Sequence, residues 1–77
     1  MNRSVAVPRR EKDVQFTPLS STEWRVSDRR YPEQSIEALL GFVARHGDSF
    51  YATSMDHPAE AIPMSSLDTV ARFFSGK

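Results

Sequence analysis

The pattern of apolar and polar residues along the chain predicts two strands. Trp24 and Val26 share one face of segment 24–28, and the polar residues Glu23, Arg25 and Ser27 share the other. This two-residue period is that of a half-buried strand. Segment 50–55 begins with two aromatic residues and needs an antiparallel neighbour to be stable. Both segments are therefore predicted to belong to one antiparallel sheet.

Residues 35–46 fit two structures, and the fold depends on which is right. Ile36, Leu39, Leu40 and Val43 have the spacing of one helix face, with Gly47 as a C-terminal cap. A helix would place Gly41 in its interior at a cost of about 1 kcal/mol. The β-prone pair Phe42-Val43 and the Gly47-Asp48 turn favour a hairpin instead. We predict strands at about 39–46 and about 50–55, after a helical turn within residues 33–38.

Two short extended segments flank this unit. Val14-Gln15-Phe16 precedes Pro18, and Ile62-Pro63-Met64 contains a proline. Proline cannot donate to a strand ladder, so each segment is confined to a sheet edge or to an extended lead-in.

The C-terminal residues 66–75 predict a helix. Ser65 is the predicted N-cap, Asp68 lies in the first turn, and Gly76 ends the helix. The apolar stripe consists of Leu67, Val70, Ala71 and Phe74.

The predicted fold class is therefore α+β, a small three- to four-stranded antiparallel sheet packed against one C-terminal helix. Residues 1–13 are charged, lack an apolar period and are predicted to be a disordered N-terminal arm, followed by a single domain at 14–77. The predicted core consists of Trp24, Val26, Leu40, Phe42, Tyr51 or Phe50, Leu67, Val70 and Phe74.

The amino-acid composition narrows the range of functions and locations that the sequence predicts. The 77 residues include no cysteine, which excludes disulfides and thiolate metal sites and indicates a cytoplasmic protein. No apolar run approaches the roughly 20 residues of a membrane span. Net charge is zero, but residues 1–30 carry seven bases and four acids, a net +3, whereas residues 31–77 carry three bases and six acids, a net −3. This asymmetry suggests an interaction arm.

Catalytic chemistry has little support in the sequence. His46 with Asp48 and Asp56 with His57 lie at opposite ends of strand 50–55, so they cannot share one metal ion. The serines lack the Gly-x-Ser-x-Gly context of a nucleophile elbow. We predict no enzyme activity, no metal and no cofactor.

The polar face of the sheet suggests a nucleic-acid surface as an alternative. Arginines with an interleaved aromatic residue suit phosphate pairing and base stacking. The candidate residues are Arg25, Arg29, Arg30, Arg45 and Tyr51, with Thr53 beside them. A neutral chain gains little from neutralising phosphates, so nucleic acid is not the favoured partner.

Two resemblances concern shape. Segment 40–47, an aromatic strand and the helix start at 64–71 resemble short uncharacterised proteins of high-GC bacteria over roughly residues 24–75. The resemblance implies a strand, a Gly turn and a second strand before the helix, and no activity. The order of elements is also similar to that of the small three-stranded N-terminal DNA-binding domains of phage-type integrases, whose sheet face is basic.

The favoured function is that of a non-enzymatic protein-interaction module or homo-oligomer. A thin core, two candidate strand edges and the charge asymmetry all predict a protein partner or self-association, without membrane contact.

Overall fold

The computed structural model describes residues 7–76, which form one antiparallel sheet and one α-helix. The predicted α+β class is confirmed. The strands are β1 (Val14–Pro18), β2 (Glu23–Asp28), β3 (Leu39–His46), β4 (Ser49–Ser54) and β5 (Ile62–Met64), and the helix is α1 (Leu67–Phe74). Two 3-10 helices, Glu11–Asp13 and Ile36–Ala38, precede β1 and β3. Each strand pairs with the next along the chain in the order β1-β2-β3-β4-β5.

The predicted count of three to four strands was too low, because both proline-containing segments join the sheet. All five residues of β1 pair with β2, and all three residues of β5 pair with β4. Both prolines lie opposite residues of the neighbouring strand, Pro18 opposite Trp24 and Pro63 opposite Tyr51.

The hydrogen-bonding pattern of the sheet explains why the two edge strands tolerate their prolines. In an antiparallel pair, the backbone N–H and C=O groups of successive residues point alternately toward the neighbouring strand and away from it. The amide of Leu19 donates to the carbonyl of Glu23 in β2, so the backbone groups of the preceding residue, Pro18, point away from β2. The two-residue hairpin at Gly47-Asp48 directs the backbone N–H and C=O of Tyr51 toward β3. The backbone nitrogen of Pro63, which lies opposite Tyr51, therefore points away from β4, toward the outer edge of the sheet. Each edge strand therefore loses no ladder bond to its proline.

The β3–β4 hairpin is confirmed, and the helical alternative for residues 35–46 is wrong. Gly47 has a φ of +64°, and among the described residues positive φ is confined to Gly47 and Gly76. A positive φ at the first central residue alone is the pattern of a type II′ turn. The predicted helical turn before the hairpin corresponds to Ile36–Ala38.

The core lies between α1 and one face of the sheet. Its buried members are Val14, Val26, Val43, Ala52, Val70 and Phe74, with Phe16, Trp24, Leu40, Phe50, Met64, Leu67, Ala71 and Phe73 packed against them. Phe42 was wrongly assigned to the core, since its side chain is 38% exposed. Between the two candidates at the start of β4, Phe50 packs against the core and contacts Trp24 at a ring-centroid distance of 6.0 Å.

Gly41 explains why Phe42 faces outward. A Cβ at Gly41 would overlap the carbonyl oxygen of Thr53 and lie 3.0 Å from the ring of Phe74. Gly41 therefore occupies the helix side of β3 so that the Phe74 ring can approach the backbone. Strand alternation then turns Phe42 to the other side. Leu40 packs against the core because the β2–β3 register shifts at Val26/Ser27, which makes Leu40 an extra residue in β3.

Helix α1 begins one residue later than predicted. Ser66, not Ser65, is the N-cap, and its hydroxyl accepts a hydrogen bond of 3.1 Å from the amide of Thr69. The helix ends at Phe74, two residues before Gly76. Among residues 7–76, no helix is long and apolar enough to cross a membrane.

Candidate interaction surface

One face of the described sheet is not covered by α1, and strand alternation decides which side chains lie on it. Val26, Val43 and Ala52 pack beneath α1, so their sequence neighbours project to the opposite side. We call this opposite side the open face. By the strand register it includes Gln15, Thr17, Glu23, Arg25, Phe42, Ala44, His46, Tyr51, Thr53 and Pro63, together with Ser27, which is buried.

Aromatic side chains occupy the middle of the open face. In the strand register Phe42 lies between Arg25 of β2 and Thr53 of β4. Tyr51 lies one row away and meets His46 edge-on, at a centroid distance of 5.4 Å. Phe42 is therefore a large apolar residue, 38% exposed, with polar residues around it at the centre of this face.

Arg25 is held at the side of Phe42 by the connection that follows β2. Its Nη2 donates to the carbonyl oxygen of Glu33 at 3.1 Å, and its Nη1 lies 3.8 Å from the Glu33 carboxylate. Nη1 is also buried without a hydrogen-bond partner. The guanidinium is therefore positioned on the open face with part of its donor capacity unused.

The five residues predicted for nucleic-acid contact do not form one surface. Arg25 and Tyr51 share the open face. Arg45 lies opposite Phe50 in the register, which places it on the helix side, where it is exposed. Arg29 and Arg30 follow the end of β2, and Nη2 of Arg29 donates to the carbonyl oxygen of Val14 at 3.1 Å.

Arg30 belongs to a buried charge cluster at that end of the sheet, and sequence reasoning missed this cluster. Asp28 is fully buried and accepts hydrogen bonds from Nε and Nη2 of Arg30 at 3.0 and 2.9 Å. Nε of Arg9 donates to the same carboxylate at 2.9 Å. Arg30 also lies 3.6 Å from Asp13. Arg9 is 19 residues from Asp28 in sequence, so no local pattern pointed to the pair.

The electrostatics of the cluster are those of a structural ion pair. Burial opposes the charge on Asp28, but the hydrogen bonds from Arg30 and Arg9 outweigh it and lower the pKa of Asp28 to about 2. The hydrogen bond to Asp28 in turn raises the pKa of Arg30. A carboxylate that is fully ionised and saturated with donors cannot serve as a general base near neutral pH.

The same cluster connects three parts of the chain. Besides Asp28, Arg9 donates from Nη1 to the carbonyl oxygen of Phe74 at 2.6 Å, and its own carbonyl accepts from the amide of Gly76 at 2.6 Å. Residues 1–6 of the predicted arm, and Lys77, lie outside the described residues. Residues 9–13 contact β2 and the end of α1 through these bonds and through the pair of Glu11 with Arg72 at 3.5 Å.

A cleft of about 270 Å³ opens on the helix side, where β3 begins and α1 ends. Its apolar lining comes from Ile36, Leu39, Leu40, Met55 and Phe74. Arg9, Glu37 and Asp56 add charged groups. The sequence pattern did not indicate this cleft, because its lining residues come from four separate segments.

The two edges of the sheet are less open to strand addition than the sequence suggested. Pro18 and Pro63 present no N–H at outward-facing positions. The outward carbonyl of Val14 is already bonded to Arg29. On β1, the amide of Val14 donates to the carbonyl of Glu11, which leaves the amide of Phe16 and the carbonyls of Phe16 and Pro18 pointing outward.

The histidines give no metal site in the described part of the chain. His46 is the last residue of β3, beside the Gly47-Asp48 turn, whereas His57 follows the opposite end of β4. Residues 7–76 contain no group of three or more potential ligands among histidine, cysteine and carboxylate side chains.

Comparisons with protein-family models, with curated proteins and with solved structures find no match to this chain. The open face, the charge cluster and the cleft are the structural features that bear on function.

Proposed function

We propose that this chain is a non-enzymatic protein-interaction module that pairs with a second copy of itself through the open face. The observation that carries the proposal is the position of Phe42, 38% exposed at the centre of a sheet face that α1 leaves uncovered. An exposed ring in the middle of a patch is the usual location of an interface hot spot. The absence of cysteine fits action in the cytoplasm.

Pairing through the face is favoured over pairing through an edge. Strand addition needs a row of free N–H and C=O groups. The outward prolines Pro18 and Pro63 interrupt that row on both edges. The open face has no comparable obstacle, because its central rows carry small or aromatic side chains next to polar ones.

The size of the face supports a weak dimer. Five strands about 4.8 Å apart, with about five residues each, span roughly 20 by 17 Å, or about 350 Å² per copy. Two copies would bury roughly 800 Å² of accessible surface in total, because side chains make the surface larger than the flat area of the sheet. This area is below the range of tight complexes. We therefore expect a dissociation constant on the order of 10–100 µM.

Charge on the open face favours a second copy as the partner. Glu23 and Arg25 are two residues apart on the same strand and face. In a two-fold interface Glu23 of each copy can lie opposite Arg25 of the other copy, so the two charges can pair reciprocally. The Arg25 side chain is only 22% exposed and already lies 3.8 Å from the Glu33 carboxylate, so each such pair adds at most about 1 kcal/mol and the aromatic contact must supply most of the affinity.

Sedimentation equilibrium at tens of micromolar tests the proposal. The wild-type chain should show a monomer–dimer equilibrium, and Phe42→Ser should weaken it at least ten-fold, since the ring is lost from both copies. Ile36→Ser is the control, because it also replaces a large apolar side chain with serine, at a residue that is 91% exposed and lines the cleft near the end of α1. A wild-type chain that is monomeric at both low and high salt contradicts the proposal.

A nucleic-acid surface is the second candidate, because Arg25, Phe42 and Tyr51 share one face. Fluorescence anisotropy with single-stranded and duplex oligonucleotides at low salt separates the candidates. If the sheet binds nucleic acid, Arg25→Ala and Tyr51→Ala weaken binding and Arg45→Ala does not, because Arg45 lies on the helix side. We expect no binding, since the chain is neutral and Glu23 lies on the same face.

A further inference from the structure

The cleft beside the end of α1 has an apolar lining that is unusually exposed. Ile36 is 91% exposed and Met55 is 37% exposed, although both are large apolar residues. Leu39, Leu40 and Phe74 form the more buried part of the lining. Methionine adapts its shape to different contacts, which suits a surface that receives an apolar side chain.

The charges around the cleft are unbalanced. Glu37 and Asp56 line it, are exposed, and form no ion pair within the described residues. Arg9 lines it too, but its guanidinium is bonded to Asp28 and to the carbonyl of Phe74. Within residues 7–76, the apolar lining is thus bordered by two acidic groups with which no cation forms an ion pair.

We propose that this cleft binds a segment of a partner protein that presents a large apolar side chain next to a lysine or arginine. The apolar side chain would lie against Ile36, Leu39 and Met55, and the cation would lie near Glu37 and Asp56. The volume of about 270 Å³ is smaller than the range of about 300–1,000 Å³ that encloses whole small molecules, so it suits one or two side chains.

This site is separate from the proposed dimer surface. Phe42 and Tyr51 project from the other side of the sheet, and neither lines the cleft. The domain could therefore hold a partner segment while paired through the open face. Failure of one proposal leaves the other standing.

Amide chemical-shift mapping with synthetic peptides tests the proposal. The probe is a Gly/Ser peptide with one central Leu-Arg pair, and the comparison peptides carry Leu-Glu or Ser-Arg in its place. We expect the Leu-Arg peptide at millimolar concentration to shift the amides of Leu39, Met55 and Asp56, and the comparison peptides to bind at least several-fold more weakly.

Variants then separate the apolar and charged contributions. Ile36→Ser should weaken binding of the Leu-Arg peptide, and Glu37→Gln combined with Asp56→Asn should weaken it about five-fold, as loss of two exposed ion pairs predicts. Phe42→Ser is the control and should leave binding unchanged. Absence of binding, equal binding of the Leu-Glu peptide, or shifts centred on the open face would each overturn the proposal.

Discussion

The buried carboxylate of Asp28 should contribute a large share of the stability of so small a domain. The pKa of Asp28 falls from 3.8 to about 2 in the folded state. A shift of this size corresponds to about 2 to 3 kcal/mol of the free energy of unfolding at neutral pH. Asp28→Asn keeps the shape of the side chain but removes the charge that Arg9 and Arg30 bind, so it should cost about that amount. For a chain of this length the melting temperature should fall by roughly 10–20 °C.

The pH dependence gives this prediction a definite sign. Because the pKa of Asp28 is lower in the folded than in the unfolded state, its stabilisation is complete above about pH 4 and is lost as the pH falls through about 2. The stability difference between wild type and Asp28→Asn should therefore be constant near neutral pH. It should shrink toward zero in acid.

Urea unfolding followed by the fluorescence of Trp24 measures that difference at each pH. Asp56→Asn is the matched control, because the same chemical change is made at an exposed carboxylate that has no ion-pair partner among residues 7–76, and it should alter stability by less than about 0.5 kcal/mol. Equal stability of Asp28→Asn and wild type at pH 7 would refute the argument. A difference that stays the same in acid would refute its electrostatic basis.

Three further substitutions test the packing at Gly41, the N-cap of α1 and the charge cluster around Asp28. Gly41→Ala should destabilise the fold by about 1–3 kcal/mol in urea unfolding, because its Cβ would overlap the Thr53 carbonyl, and an unchanged midpoint would contradict this contact. Ser66→Ala should cost about 1 kcal/mol while Ser65→Ala costs much less, since Ser66 is the N-cap, and the reverse order would return the cap to Ser65. Arg9→Ala should lower the melting temperature measured by circular dichroism, because Asp28 loses one donor, whereas Arg10→Ala should not.

Local patterns in the sequence were sufficient for most of the elements. The Gly47 turn, the β-prone residues before it and the apolar stripe of α1 each determine structure within a few residues, and all three appear in the fold. Pro18 and Pro63 correctly marked the edges. They did not show that the edges pair fully, because that depends on which way each proline faces in a register fixed elsewhere.

The sites were less predictable, since they depend on long-range contacts. Phe42 has the size and hydrophobicity of a core residue, and only the approach of Phe74 to Gly41 shows why it faces outward. Arg30 was interpreted as a surface residue, but a buried aspartate and Arg9 hold it. The cleft around Ile36 likewise exists only once residues from separate segments are brought together.

The concentration dependence of the amide chemical shifts tests pairing through the open face most directly. Dilution of the wild-type chain from several hundred to about 10 µM should cross the expected dissociation constant. Pairing through the open face predicts shift changes at Phe42, Ala44, Tyr51 and Thr53, and none at Ile36 or along α1. Shifts that do not change with concentration, or changes confined to an edge strand or to α1, would contradict pairing through the open face.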